Sequence, residues 1–521
     1  MKLKGIRILL ALFWIVGIIL PLFTMMLHIA DVDIVKVITA NKFLKALQQS
    51  IMVSSVATLI SVTLAGVLAW CTCRTNIRFK TAWTVLLTVP MLIPSISHGM
   101  GLIILFGTNG LLRNIFHLPF TIYGFGGIVM GSVMYSFPVA YLMLLDVLMF
   151  EDSTPYEAAE VLGLSRVNKF TAITWPYLRK PLISVFFATF TMIITDYGVP
   201  LMIGGKYTTL PVMMYQDVIG MLDFGKGSVI GLILLIPALI ACFLDIMNRD
   251  KGNQGFVIKP FVMKSNKFRD GLAYMVCLVT LITLFFPIVM FSVVAFMKKY
   301  PNDTSFSLDN VIHALRLNVG QYLMNSLLIA ICVSVLGVVL AVLCAYFTAR
   351  MPSKYSKILH LLSITSLAIP GIVLGLSYAM FFKGSIIYGT FAMLILVNMM
   401  HFFASPYLMI YNTFNKLNAN LEAVGMTLGI SRWGILKDVL LPMSKGTLLE
   451  MLSYFFVNSM MTISAVSFLA SVSNKPAALM ITQFEGQMLL ECAAFVSLLI
   501  LIVNILFKGT VLIVKRYISI N

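Results

Sequence analysis

The chain has 521 residues, 60% of them hydrophobic and only 11% charged, with a mean hydropathy of +0.97. A soluble domain carries about a quarter charged residues, so ordinary soluble enzymes and nucleic-acid-binding folds are excluded, and an all-α, polytopic membrane protein is expected. The net charge of +17 falls in short loops between apolar runs, where orientation in the bilayer accounts for it without a nucleic-acid partner.

Taken in chain order, Lys2, Lys4 and Arg7 precede an apolar run from Ile8 to Leu27. It is long and no small-x-small cleavage site follows it, so it reads as a retained first span. At about 20 residues per span, further candidates are 49–73, 82–106, 123–150, 182–205, 227–247, 271–297, 325–349, 357–381, 388–414, 447–471 and 489–514, twelve in all. With the N-terminus inside, 26 of the 37 Lys and Arg fall in cytoplasmic segments and 11 outside, as the positive-inside rule requires. Both termini are then cytoplasmic. The seven cysteines lie in or beside apolar runs without zinc spacing and read as small core residues, not ligands. No cofactor or metal site is expected.

One polar stretch occurs twice. The first copy is Glu157-Ala158-Ala159-Glu160-Val161-Leu162-Gly163-Leu164-Ser165-Arg166, with Pro176 thirteen residues after the glycine; the second is Glu422-Ala423-Val424-Gly425-Met426-Thr427-Leu428-Gly429-Ile430-Ser431-Arg432, with Pro442 thirteen after Gly429. Thr154, Pro155 and Glu157 fit the N-cap, N1 and N3 positions of a short helix closed by a capping box. Gly163 can end that helix in the left-handed conformation, and Ser165 can cap a second short helix that stops before Pro176.

The chain is also an internal repeat. Ala69, Arg74 and Pro94 match Ala345, Arg350 and Pro370 at an offset of 276, and Tyr141 and Pro176 match Tyr407 and Pro442 at 266. A longer outside loop around Gly107 to Leu118 explains the change. Two tandem six-span units are expected, 1–255 with its polar loop at about 153–181, and 256–521 with its loop at about 418–446. A basic connector, about 248–270, carries Arg249, Lys251, Lys259, Lys264, Lys267 and Arg269; it reads as a cytoplasmic linker, with a polyanion-binding arm as the alternative.

The spacing of Glu-Ala-Ala, glycine and proline resembles the EAA loop of permease subunits of type I ATP-binding cassette (ABC) importers. Two copies in one chain resemble the fused permeases that import ferric iron, thiamine or aminoethylphosphonate. Asp196-Tyr197-Gly198-Val199-Pro200, Thr208-Thr209-Leu210-Pro211 and Thr462-Ile463-Ser464-Ala465-Val466 support that neighbourhood. The resemblance implies a bacterial or archaeal cell-membrane permease with no chemistry of its own. It implies two copies of an ABC ATPase subunit docked on the loops and an extracytoplasmic substrate-binding protein. Coupling is then assigned to Glu157, Ala158, Ala159, Gly163 and Pro176, and to Glu422, Ala423, Gly429 and Pro442. The second copy departs from the pattern, because Ala423 holds the Glu157 position and Glu422 lies one residue earlier, so whether the two loops dock alike stays open.

Asp196 stands within an apolar span, where a carboxylate costs about 3 kcal/mol. Either it contacts substrate or a polar gate, or it caps amides freed where Gly198 and Pro200 interrupt the helix. Pro94 and Pro370 break matching spans and are candidate pathway positions or packing kinks. His98 and His401 read as interior residues, and the 34 methionines as packing residues. The string Gly204-Gly205-Lys206-Tyr207-Thr208 lacks the first glycine and the Ser or Thr of a phosphate loop, so ATP hydrolysis belongs to a partner. A twelve-span secondary transporter with parallel halves is the rival reading; it leaves the duplicated loops unexplained.

Overall fold

The computed structural model describes residues 2–117, 119–248, 259, 261, 263 and 265–520. The expected repeat boundary at 255/256 and the connector residues Arg249, Lys251 and Lys264 lie outside the described residues. Among the described residues nine helices are long and apolar enough to cross a membrane, and two bent pairs bring the number to eleven. The strands among them are a small antiparallel hairpin, Met297–Lys299 with Asp303–Phe306.

The bounds of several expected spans differ in the structure. The span expected at 447–471 is a helix only over Lys445–Met461, because Thr462 leaves helical geometry with ψ 126 and an irregular segment follows. The span expected at 182–205 begins instead at Val167 and ends at Ile194. Pro370 turns its span by 109° between Lys354–Ala368 and Gly371–Phe381; a proline there has no N–H to give the ladder and clashes with the preceding turn. Pro94 stands at the matching interruption, between the tight turn Val89–Leu92 and the helix Ser95–Phe106.

The described residues form two packed units. One combines parts of Ile38–Met213 and Ile236–Phe306, the other parts of Met1–Val37, Met214–Leu235 and Ser307–Asn521. Each unit therefore contains the opening helix of the other sequence repeat. In the first, Lys267–Val294 lies on the first-repeat body: Asn76 N–H donates to Asp270 Oδ1 at 3.1 Å, Arg78 N–H to Tyr274 Oη at 2.6 Å, and a Cβ on Gly101 would stand 2.8 Å from Pro287 Cβ. In the second, the helix Gly5–Ala30 lies on second-repeat helices. Tyr378 Oη donates to Gly17 O at 2.5 Å, Arg7 reaches Met351 O at 3.1 Å, and Trp14 meets Phe403 edge-on at 4.5 Å.

Inside the first unit, helix Asn41–Arg74 packs along Phe125–Met149 through Ala57, Ala65, Leu68, Phe137 and Ala140. Small side chains let such helices approach closely where lipid supplies no hydrophobic drive between them. Ser61 and Ser136 share a hydrogen bond of 2.8 Å. The repeat is visible in space as well as in sequence: Tyr141 Oη bonds Thr72 at 3.0 Å and Thr84 at 3.2 Å, while its counterpart Tyr407 bonds Thr348 at 2.9 Å and His360 at 2.6 Å.

Candidate functional site

The first polar loop is a bent pair of helical segments. Its first helix, Thr154–Val161, has Ser153 at the N-cap position, one residue before the expected Thr154, and the Ser153 side chain makes no capping bond. The reason is local: Asp152 Oδ1 accepts from both the amide and the hydroxyl of Thr154, at 3.1 and 2.9 Å, which takes the threonine away from capping. Glu157 accepts from Ser153 Oγ at 3.2 Å, but the amide that a capping box would satisfy, Ser153 N–H, donates to Lys259 O at 3.0 Å. The connector thus replaces the box.

Gly163 ends the helix at φ +70, and Gly429 does so at φ +73 in the second loop. The closing bonds are also matched, Leu164 N–H to Ala159 O at 3.0 Å and Ile430 N–H to Gly425 O at 2.8 Å. This is the glycine-terminated helix end that the spacing implied. Ser165 and Ser431 then cap the next segment through Asn168 N–H at 3.2 Å and Gly434 N–H at 3.1 Å.

That next segment does not stop before Pro176. Arg166–Lys169 passes through a wide π turn, Phe170–Thr174, into Trp175–Ile194. In the second loop Arg432–Ile435 passes through Leu436–Leu440 to Leu441–Met443, and Lys445–Met461 follows a break at Ser444. The wide turn shifts the carbonyl register just ahead of Pro176 and Pro442, so each proline enters near the start of a helical segment, where its missing N–H costs least. The first bent loop is therefore joined to its membrane helix by unbroken helical segments, whereas the second has one break, at Ser444.

Ala159 is buried, whereas Glu157 and Ala158 are exposed. Its counterpart is Gly425, also buried, where an added Cβ would stand 2.4 Å from Ile435 Cδ1. Smallness at this position lets the two segments close on each other. The outer crest is apolar and uncovered, with Val161 89% and Leu162 77% exposed, and Val424, Met426 and Leu428 exposed in the second loop.

Two residues behind the loops carry weight that sequence reasoning missed. Arg74 is buried against Glu151, which also accepts from Tyr156 Oη, and the Phe261 ring lies 3.3 Å from its guanidinium. Tyr156 lies edge-on to Phe261 at 5.0 Å, and burial, then the adjacent Glu151, push its phenol above the ordinary range. Arg350 is the counterpart of Arg74, but it takes a different acid: it grips Glu422 with two bonds of 2.6 and 2.5 Å and donates to Phe414 O, Leu417 O and Asn418 O at 3.1, 3.0 and 2.7 Å. The displaced Glu422 is thus an internal anchor. The available signal was a matched arginine at the end of each repeat's second span.

Glu157, by contrast, points outward and pairs with Lys259 Nζ at 2.7 Å. That hydrogen bond, ahead of any other influence, holds its carboxyl below the usual range. Lys259 N–H also donates to Asp152 Oδ1 at 3.2 Å.

Within the membrane body, Asp196 accepts from Gly198 N–H at 3.3 Å and Val199 N–H at 3.0 Å, and from Ser95 Oγ at 2.7 Å. It caps the helix Gly198–Ile203 and ties it to the first residue after Pro94. The equivalent place beside Pro370 swaps the groups: Gly371 replaces Ser95, and a Cβ there would stand 2.5 Å from Ser464 Oγ and 2.9 Å from His401 Nε2. Asp196 and Pro94 belong to one unit and Pro370 to the other. His98 is buried with Nε2 3.1 Å from Pro90 O. Among the described residues no three His, Cys, Asp or Glu converge to hold a metal ion.

The family described as binding-protein-dependent transport system inner membrane component matches this chain twice, at residues 61–249 and 337–519. A putative ferric transport system permease protein of Haemophilus influenzae is 25% identical over 493 residues, 90% of this chain and 77% of that protein. The ferric transport system permease protein of Actinobacillus pleuropneumoniae is 24% identical over 90% of this chain and 72% of its own. A thiamine transport system permease protein of Escherichia coli is 24% identical over 77% and 76%. Members of such systems are membrane permeases, not enzymes, and work with an ATPase and a substrate-binding protein. With the family present in both repeats, around two matched bent loops, the chain belongs to the binding-protein-dependent transport inner membrane components, as a fused permease of an ABC importer.

Proposed function

We propose that this chain forms the whole translocation path of an importer for a small polar solute, with ferric iron first, then thiamine or aminoethylphosphonate, and that two copies of one ATPase subunit dock on its two loops. Residues 1–255 and 256–521 act as the two permease units, with both termini cytoplasmic. ATP-driven closure draws the loops together and opens the path outward to a docked binding protein; hydrolysis restores the inward-facing state.

The observation that carries this reading is the pair of left-handed glycine bends, each topped by exposed apolar side chains and each running through a wide turn into a membrane helix. Glu157, Ala158, Ala159, Gly163 and Pro176 shape one socket contact, and Glu422, Ala423, Gly429 and Pro442 the other. Asp196, Pro94 and Pro370 serve as hinge or gate positions where the spans break. Ferric iron leads because the ferric permeases align with 90% of the chain.

The test is co-purification of the detergent-solubilised chain with its ATPase, comparing wild type with Gly163→Pro plus Gly429→Pro. Proline cannot adopt positive φ, so a monodisperse variant that loses the ATPase supports the docking role. A variant that keeps it, or a wild type that never binds one, overturns it. Uptake of radiolabelled iron, thiamine and aminoethylphosphonate by reconstituted complex then ranks the solutes.

A further inference from the structure

The Gly204–Tyr207 turn, too poor in glycine and hydroxyl to cradle a phosphate, is built into the end of its unit opposite the bent loop. Helix Phe125–Met149 runs from that end to the loop, and Gly124 N–H at its start donates to Ile203 O at 3.0 Å. The turn is pinned to helix Asn41–Arg74 by Thr208 N–H to Gln49 Oε1 at 3.1 Å and Leu210 N–H to Ser50 Oγ at 2.7 Å. It cannot carry side chains at its tightest points: a Cβ on Gly204 would stand 2.3 Å from Pro200 O, and Gly205 sits at φ +57. Tyr123, Gly124, Gly204, Lys206 and Tyr207 enclose an open recess of about 340 Å³. Lys206 stands exposed on its rim.

The segments around the recess are joined. Ile122 N–H donates to Phe106 O at 3.3 Å, Tyr300 Oη to Ile104 O at 2.6 Å, and Arg113 to Thr108 O at 2.6 Å. Together 38–50, 107–124, 203–213 and 297–306 carry Lys42, Lys45, Arg113, Lys206, Lys298 and Lys299 against one acid, Asp303. Residues 33–36, 217–226, 309–316, 383 and 475–491 of the other unit carry five Lys or Arg and six Asp or Glu, so the excess of cations belongs to the unit that holds the recess.

We propose that this recess is the receptor for an acidic protrusion of the substrate-binding protein: an Asp or Glu side chain enters between Tyr123 and Tyr207 and meets Lys206, while the surrounding cations steer the approach. The reading rests on the importer assignment and its orientation. Its chemistry is charge complementarity at an exposed rim, which sets association rate and salt dependence more than contact area does. The rigid, glycine-lined floor holds the receptor open before the partner arrives.

The experiment uses the full chain with its ATPase in nanodiscs, and as probe the cognate substrate-binding protein. Stimulation of wild-type ATPase activity comes first; without it the importer assignment itself fails. Given stimulation, Lys206→Glu is expected to slow association about tenfold and flatten its salt dependence, Lys206→Gln to have a smaller effect, and Lys383→Glu on the other unit to stay within twofold. A Glu→Lys substitution on the binding protein that restores association with Lys206→Glu locates the pair. Unchanged association in monodisperse Lys206→Glu overturns the proposal, as does a loss seen only in nanodiscs containing phosphatidylglycerol and absent from purely zwitterionic ones, which would assign the rim to lipid.

Discussion

The two bent loops share a backbone and differ in how they are held. Each ends its first helix at a left-handed glycine, closes on a small residue and enters the membrane through a wide turn. Behind the first, Arg74 uses Glu151, which lies before the loop, and leaves Glu157 to the connector at Lys259. Behind the second, Arg350 uses Glu422 from within the loop itself. The acid displaced by one position is a change of anchor: a glutamate one residue earlier on the helix turns inward toward the arginine. The bend and the apolar crest are common to both.

Arg350→Met leaves Glu422 and three carbonyls without their donor, and a loss of about 3–5 kcal/mol is expected on breaking a buried pair; a large fall in unfolding temperature of the detergent-solubilised chain would register it. Arg350→Lys is expected to rescue little, since one ammonium cannot reproduce a two-pronged grip. Next comes Glu422→Gln, which weakens the charge-assisted bonds by about 2 kcal/mol, whereas Glu157→Gln leaves the unfolding temperature unchanged. Equal effects of the two would show that the loops are anchored alike after all.

A smaller effect is expected from Ala159→Leu. Overpacking the closure between the two segments costs about 1–3 kcal/mol, and the readout is weaker ATPase retention with the membrane body intact. The smallest concerns the connector. Glu157 has a carboxyl held low by Lys259, so its contribution is fully present above the ordinary carboxylate value and is lost as pH falls through the lower, folded value. A spin label at Met263→Cys, with the other cysteines replaced, should gain mobility only under strongly acidic conditions in wild type. In Lys259→Ala it should be mobile already at neutral pH, and an unchanged spectrum there would show that the backbone bonds of Lys259 to Ser153 and Asp152 hold the connector without the ion pair.

Much of the loop was legible because its determinants are local. A glycine at positive φ, a serine cap and a proline near a helix start each act within a few residues, and Gly163, Gly429, Ser165 and Ser431 stand where the spacing put them. The cap at Thr154 was misplaced by one residue because Asp152 competes for the same hydroxyl. The helix expected to stop at Pro176 continues because a wide turn, which no residue pattern announces, absorbs the proline. Asp196 could be framed from sequence only as a choice; the bonds from Gly198, Val199 and Ser95 show it capping a broken span.

Hydropathy, repeat offsets and left-handed glycines are properties of short stretches, so a membrane protein of two repeats with a bent loop in each could be read from the residues alone. Which unit each repeat's opening helix joins, and which acid each arginine holds, depends on contacts between distant segments. Gly17 lies against Met400 and Gly101 against Pro287, pairs far apart in the chain whose complementarity of shape exists only once the backbones have met. Apolar helices in lipid are all alike in hydropathy, so close packing and buried hydrogen bonds, not burial from water, choose their neighbours.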